Sequence, residues 1–342
     1  MPSLAWAVVR GQDVAAGGAG GAGPRSIFQI GSVTKVFTGL LLADLAERGV
    51  LRLSDPAARY LPGSPARAGR VTADETGPVT LADLATHTSG FPRLPPGLLW
   101  SALPHPRDPY ARYPSSRFVR ASRRALRTGS GGRPYLYSNF GFGLLGYLLG
   151  RAAGSDYETL VRTRICAPLG LPDTTFEVPG PSRARKAQGH HSGRAVPDWH
   201  LGPLAAAGAL YSTAADLATL LRACLAAAAP AGPAPAATSA PAGPAPAATS
   251  ASPVTPPVPA PLASAIRAAL TPRQPIPGGE ISLAWHHTRH GDHTVIWHNG
   301  MTGGFSAMIA VDPARGLAVA ALANSAGRPP SPLDQAVLGA LR

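Results

Sequence analysis

The chain has 342 residues, which at about 100–200 residues per domain makes one large domain or two modest ones and excludes fibrous and miniprotein classes. Hydrophobic residues at 45% and charged residues at 14% describe a globular chain and exclude a disordered one. The formal net charge is +13, and of the 31 basic residues all but Lys35 and Lys186 are arginine.

A basic surface binds nucleic acid by releasing counterions, but these arginines are mostly dispersed. The dense stretch runs from Arg107 to Arg133. There Arg117, Arg120, Arg124 and Arg127 recur at helical spacing, while Phe118, Ala121, Ala125 and Leu126 avoid that face. This is the pattern of a solvated helix face, so nucleic acid is not an expected partner. Cys166 and Cys224 show no C-x-x-C spacing and signal neither a metal knuckle nor a disulfide scaffold. No uncharged apolar run approaches the ~18–20 residues of a membrane span. The first residues carry no basic segment or long apolar run ahead of a cleavage site, so a cytoplasmic location is expected unless the start codon is mis-assigned.

In chain order, residues 3–10 predict a strand and Gly17–Gly23 a Gly-Ala turn or loop. Ser32 to about Arg48 keeps helical period through Val33, Val36, Phe37, Leu40, Leu41, Asp44 and Leu45 and ends at Gly49. This helix is apolar over much of its circumference and belongs deep. Thr80 caps a helix through Ala85 that stops near Gly90, Phe140–Arg151 makes a Gly-bearing apolar helix, and Thr213 caps one running to about Ala226. Ala229–Ser239 (APAGPAPAATS) is repeated unchanged as Ala240–Ser250, and Pro-rich sequence continues to Pro261. Such a unit has nothing to bury and reads as a linker or surface insertion over residues 229–261. Ile281–Arg289 and His293–His298 then flank a His-Gly-Asp turn as a hairpin, Phe305–Val311 and Leu317–Leu322 follow, and Ser331, Pro332 and Asp334 start a last helix. Strands at both ends predict one sheet shared by the termini, with residues 1–50 and 262–342 in a sheet subdomain and residues 51–228 in a helical one.

Three motifs bear on chemistry. Ser32-Val33-Thr34-Lys35 is an S-x-x-K at a helix start, which sets hydroxyl and amine one turn apart on one face. With 24 serines and two lysines in 342 residues, chance produces that spacing about 0.14 times. Arginine stays protonated, whereas a buried lysine can be neutral, so only lysine can take a serine proton. Tyr137-Ser138-Asn139 is a Y-x-N ahead of the Phe140 helix. His298-Asn299-Gly300 closes a late strand and is followed by Met301, Thr302, Gly303 and Gly304, where a bare backbone edge can approach a substrate and its N–H groups an oxyanion.

In this order, and with the phrases FQIGSVTK (28–35), DPAARYLP (55–62), LADLATHTSGFP (81–92) and AAGALYSTAAD (206–216), the chain resembles the serine β-lactamase and penicillin-binding protein superfamily. It is most similar to the class C-like branch that also holds esterases and D-amino-acid peptidases. The resemblance implies an α+β, penicillin-binding-protein-like fold, an antiparallel sheet flanked by helices with an inserted, mostly helical subdomain. It further implies that Ser32 is acylated, that Lys35 and Tyr137 share the proton work and that Asn139 bonds the substrate amide or the lysine. The oxyanion would sit between the N–H groups of Ser32 and Met301, with His298, Asn299 and Gly300 as the strand wall of the cleft. No cofactor and no metal are expected, and the expected partner is a small-molecule substrate.

Many β-lactamases carry K-T-G where this chain has His298-Asn299-Gly300, and a neutral imidazole holds a substrate carboxylate less well than an ammonium. The expectation is therefore an acyl-enzyme hydrolase of esters, amides or small peptides. A β-lactamase or D-Ala-D-Ala carboxypeptidase is the alternative, and a non-catalytic protein that keeps the fold is a further one. The histidines 286, 287, 290, 293 and 298 could suggest zinc, but strand alternation sends His286 and His287 to opposite faces and no cysteine is near.

Overall fold

The computed structural model describes residues 2–62, 77–228, 258–327 and 331–341. Small and medium apolar side chains of alternating direction build its centre, an eight-stranded sheet. The strands are β1 (Leu4–Arg10), β2 (Asp13–Ala19), β3 (Gln274–Ile276), β4 (Gly279–Ile281), β5 (His286–His290), β6 (His293–Met301), β7 (Ser306–Asp312) and β8 (Leu317–Ala323). Their order is β2-β1-β8-β7-β6-β5-β4-β3, with every pairing antiparallel. β1 lies between β2 and β8, with Ala7 opposite Ala320, so both ends of the chain share the sheet as expected.

Alternation gives the sheet two buried faces. Ala307, Ile309 and Val311 of β7 turn toward the main core, which also holds α1 (Thr34–Glu47), α5 (Ala214–Ala228) and α6 (Ala260–Leu270). Met308 and Ala310 turn the other way, packing with Val295, Val319 and Ala321 against Val337 of α7 (Pro332–Ala340). The expected Ser331–Asp334 capping box opens α7.

α1 is wrapped on all sides, as its apolar circumference predicts: Val36, Phe37, Leu40, Leu41 and Leu45 are buried, and so are Lys35 and Asp44. Burial of each large apolar side chain stabilises the fold by about 1.5–3 kcal/mol, so α1 is a firm base for whatever its first turn carries. On the helical side stand α2 (Leu81–Ala85), α3 (Ser115–Thr128) and α4 (Asn139–Ala153). Thr80 and Asp83 cap α2 reciprocally, Ser138 caps α4 through Gly141 N–H, and Gly154 ends α4 in the left-handed region. α3 buries Phe118 and Ser122 and exposes Arg117, Arg120, Arg124 and Arg127.

Three features differ from the sequence reading. Gly17–Ala19 is not a loop but the end of β2, because Gly17 makes room for the Trp6 indole; a Cβ there would lie 2.7 Å from that ring. The Ile281–Arg289 stretch is two strands, β4 and β5, folded back so that Ile281 faces His286. The turn has no glycine or proline to mark it because Ser282–Trp285 is buried, with Ala284 at φ +76 and Ser282 N–H donating to the Trp285 carbonyl at 2.9 Å. Finally, α5, expected within the 51–228 helical part, packs on β1, β7 and β8. The tandem repeat lies outside the described residues. Among the described residues no helix is long and apolar enough to cross a membrane.

Candidate active site

The site begins where the first turn of α1 meets the end of β6. A short 3-10 turn, Gly31–Val33, leads into α1 and carries Ser32. Gly31 sits at φ +50, and a Cβ on it would stand 2.6 Å from the Met301 backbone nitrogen. Glycine is required on both grounds: a side chain would strain the backbone and part the turn from the strand. Gly300 plays the same part from the other direction, since a Cβ on it would strike the Ile30 carbonyl oxygen. The two glycines thus hold the backbone at Ser32 against the backbone at Met301.

Lys35, one helical turn beyond Ser32, is 0% exposed. Its Nζ lies 3.0 Å from Ser32 Oγ and donates to the Ala207 carbonyl at 2.6 Å. Among the described residues no carboxylate pairs with it. Burial, and then the positive charge of Arg93, hold its pKa well below the ordinary lysine range. A neutral amine has a lone pair, and the nearest proton it can accept is that of Ser32.

Tyr137, in the loop before α4, donates its hydroxyl to Ser32 Oγ at 2.7 Å. Burial raises its pKa, so the phenol stays protonated at neutral pH. Ser32 Oγ therefore sits between a protonated phenol and an amine whose burial favours its neutral form. Asn139 is the first residue of α4. Its N–H donates to the Arg93 carbonyl at 2.9 Å, while its side-chain Oδ1 is buried without a partner among the described residues.

On the strand side, His298 is fully buried, with Nδ1 donating to the Asn299 carbonyl at 2.5 Å and Nε2 without a partner among the described residues. Burial above all, with the neighbouring His286 and Lys35, lowers its pKa far below the usual histidine value. The imidazole is neutral and presents an acceptor. Asn299 corrects the expectation that it lines the cleft: its side chain donates to Asp334 Oδ2 at 3.1 Å, within the capping box of α7 behind the sheet. Strand alternation is the reason, since neighbours of His298 face away from it. Thr302 Oγ1 is buried and unpartnered just past Met301.

The sequence reading singled out neither His87 nor Arg93, and it named His286 only among the zinc candidates. His87, at φ +59, accepts the Ser138 N–H on Nδ1 at 3.0 Å, and its ring lies 4.5 Å from that of Tyr137. It fixes the loop carrying Tyr137, and a non-glycine residue in that backbone region marks such a constraint. His286 stacks on Trp297 at 4.7 Å and stands 5.5 Å from His298, while His287 Nε2 meets Ser282 Oγ instead. Arg93 places its guanidinium 5.3 Å over the Tyr137 ring. His87 and the stretch leading to Arg93 belong to the LADLATHTSGFP phrase, which identified the family but assigned neither residue.

A serine hydroxyl between a buried lysine and a tyrosine, facing a strand that ends in H-x-G on an antiparallel sheet, is the arrangement that the resemblance implied. The Beta-lactamase family model matches residues 1–342, and the chain belongs to that family. It is 32% identical to the D-alanyl-D-alanine-carboxypeptidase/endopeptidase AmpH of Escherichia coli (strain K12), over 56% of this chain and 47% of that protein. It is also 32% identical to a beta-lactamase of the same organism, over 57% of this chain and 46% of that one. The matches thus span about half the length of these curated relatives. Among solved structures, the class C beta lactamase from Rhodobacter sphaeroides superposes with a TM-score of 0.73 at 23% identity, covering 96% of this chain and 91% of that one.

Proposed function

We propose that the protein is a serine hydrolase that works through an acyl-enzyme on Ser32. The observation that carries this reading is the double contact at Ser32 Oγ, 2.7 Å from the Tyr137 hydroxyl and 3.0 Å from the Nζ of a buried lysine with no carboxylate partner among the described residues. Neutral Lys35 accepts the Ser32 proton as Oγ attacks the substrate carbonyl. The oxyanion gathers between the backbone N–H groups of Ser32 and Met301, donors that need not reorganise as charge develops. Tyr137 passes its proton to the leaving group and recovers it from the Lys35 ammonium, and water then releases the acyl group by the same proton route in reverse.

The substrates that suit the site are esters, amides or small peptides. The strand wall offers a neutral His298 and no fixed cation, so it does not grip a carboxylate there. β-Lactam or D-alanyl peptide hydrolysis is the second reading, favoured by the printed activities of the E. coli relatives. Steady-state kinetics on a p-nitrophenyl ester and a chromogenic cephalosporin separate the two. Ser32-dependent turnover with kcat/KM higher for the ester is expected; a preference for the cephalosporin replaces this reading with the second.

A further inference from the structure

The site has a wall the proposed mechanism does not use. Lys35, His87, His286 and His298 are all driven toward their neutral forms by burial. Against these neutral groups stands one fixed charge: the Arg93 guanidinium, exposed and 5.3 Å over the face of the tyrosine that holds Ser32. Among the described residues no carboxylate pairs with it. The acids nearest in sequence are committed elsewhere, Asp83 to Thr80, Thr88 and Gly132 and Asp108 to His200.

Nor is Arg93 on a free loop. Its carbonyl accepts the N–H groups of Asn139 and Phe140 at 2.9 and 3.2 Å, and the preceding Pro92 carbonyl accepts Ser138 Oγ at 2.7 Å. The backbone at Arg93 is thereby tied to the Tyr137–Asn139 loop, and prolines at 92, 95 and 96 restrict the segment further. The bond from the Asn139 N–H to the Arg93 carbonyl makes the two residues neighbours. Together they bring an open amide oxygen and a guanidinium with no carboxylate partner among the described residues.

We propose that Arg93 is a carboxylate-binding residue that makes the enzyme prefer substrates bearing a carboxylate within reach of the Tyr137–Asn139 wall. The guanidinium offers paired N–H donors that match a carboxylate in two parallel hydrogen bonds. Its place 5.3 Å over the Tyr137 ring sets it beside the tyrosine that holds Ser32, and its exposure admits substrate without burying an unpaired charge. The His298 wall and the Arg93 wall then divide the work, the first neutral and shaped by backbone, the second charged and selective. This rests on Ser32 being the nucleophile.

The test compares two p-nitrophenyl esters that differ only in charge, adipate and its monomethyl ester, with an acetyl ester whose nitrophenol leaving group carries the carboxylate as a third arm. Wild type is expected to show kcat/KM about tenfold or more higher for one of the carboxylate-bearing esters than for its neutral counterpart, the size of one charge-assisted contact, and the responding arm tells whether the charge belongs to the acyl or the leaving group. Arg93→Gln should bring that ratio close to one, Arg93→Lys should keep part of it, and rising salt should shrink it. Arg93→Glu should turn the preference toward a 6-trimethylammoniohexanoyl ester. Ser32-dependent hydrolysis with no charge preference, or a preference that survives in Arg93→Gln, overturns the assignment of Arg93 alone. No turnover above the Ser32→Ala variant on any ester overturns the catalytic reading and this assignment with it.

Discussion

The two walls of the cleft are built in opposite ways. On the α1 and α4 side, side chains form the proposed machinery: Ser32, Lys35 and Tyr137 meet one another, and burial biases which of them is charged. On the β6 side, the proposed part is the backbone's: Gly31 and Gly300 allow the Ser32 turn and the strand to meet, His298 is neutral, and the side chain of Asn299 leaves for α7. A helical wall answers to side-chain identity and protonation, whereas a strand wall answers to shape and alternation. Substitutions on the two sides should therefore fail differently.

The largest loss belongs to the helical wall. Ser32→Ala should lower kcat/KM on the order of 10⁴-fold or more with an unchanged melting curve, as removal of a nucleophile does. Lys35→Met keeps the stem but removes the base, and pre-steady-state acylation should slow by about 100-fold or more. Near-normal acylation in that variant would take Lys35 out of the mechanism. On the strand wall, His298→Lys installs a cation, and the ratio of cephalosporin to ester turnover should rise by roughly 10- to 150-fold, the value of one charge-assisted hydrogen bond at ~1.5–3 kcal/mol; an unmoved ratio means the strand wall does not set that preference. Smallest is Asn299→Ala, which should cost about 1 kcal/mol of stability through the lost bond to Asp334, read by denaturant titration, and leave the ester-to-cephalosporin ratio where it was.

The pH profile sharpens the same contrast. A base must be deprotonated to act, so kcat/KM on a neutral ester should fall on the acid side as Lys35 gains its proton. Because the Arg93 charge lowers the Lys35 pKa, removing it in Arg93→Gln raises that pKa and should move the acid limb to higher pH. His298→Gln should leave the limb in place, since a neutral imidazole exerts no comparable field.

How much of this could be read from the chain follows the same division. The contact between Ser32 and Lys35 is local, three residues apart on one helix, and a single period announces it. The sheet was legible from period-two runs at both ends, and the Ser331 and Thr80 caps from their spacing. What depended on long-range approach was not. Asn299 faces away because of the register of β6. Gly17 serves the Trp6 ring instead of a turn, and Ser282–Trp285 turns without glycine or proline because it is buried against Gly39 of α1, where a Cβ would meet the Leu283 carbonyl. Arg93 carried no signal among 29 arginines; only its place over Tyr137, 44 residues on, sets it apart.

The central claim, that Ser32 is the residue acylated, is tested most directly by labelling the protein with a fluorophosphonate serine probe and mapping the modified peptide by mass spectrometry. Cleavage after Arg25 and Lys35 releases residues 26–35, which hold Ser26 as well as Ser32, so fragmentation must assign the site. The account predicts one probe adduct, on Ser32, slowed in Lys35→Met and missing from Ser32→Ala. An adduct on Ser26 or on another serine, or labelling that persists in Ser32→Ala, would contradict it.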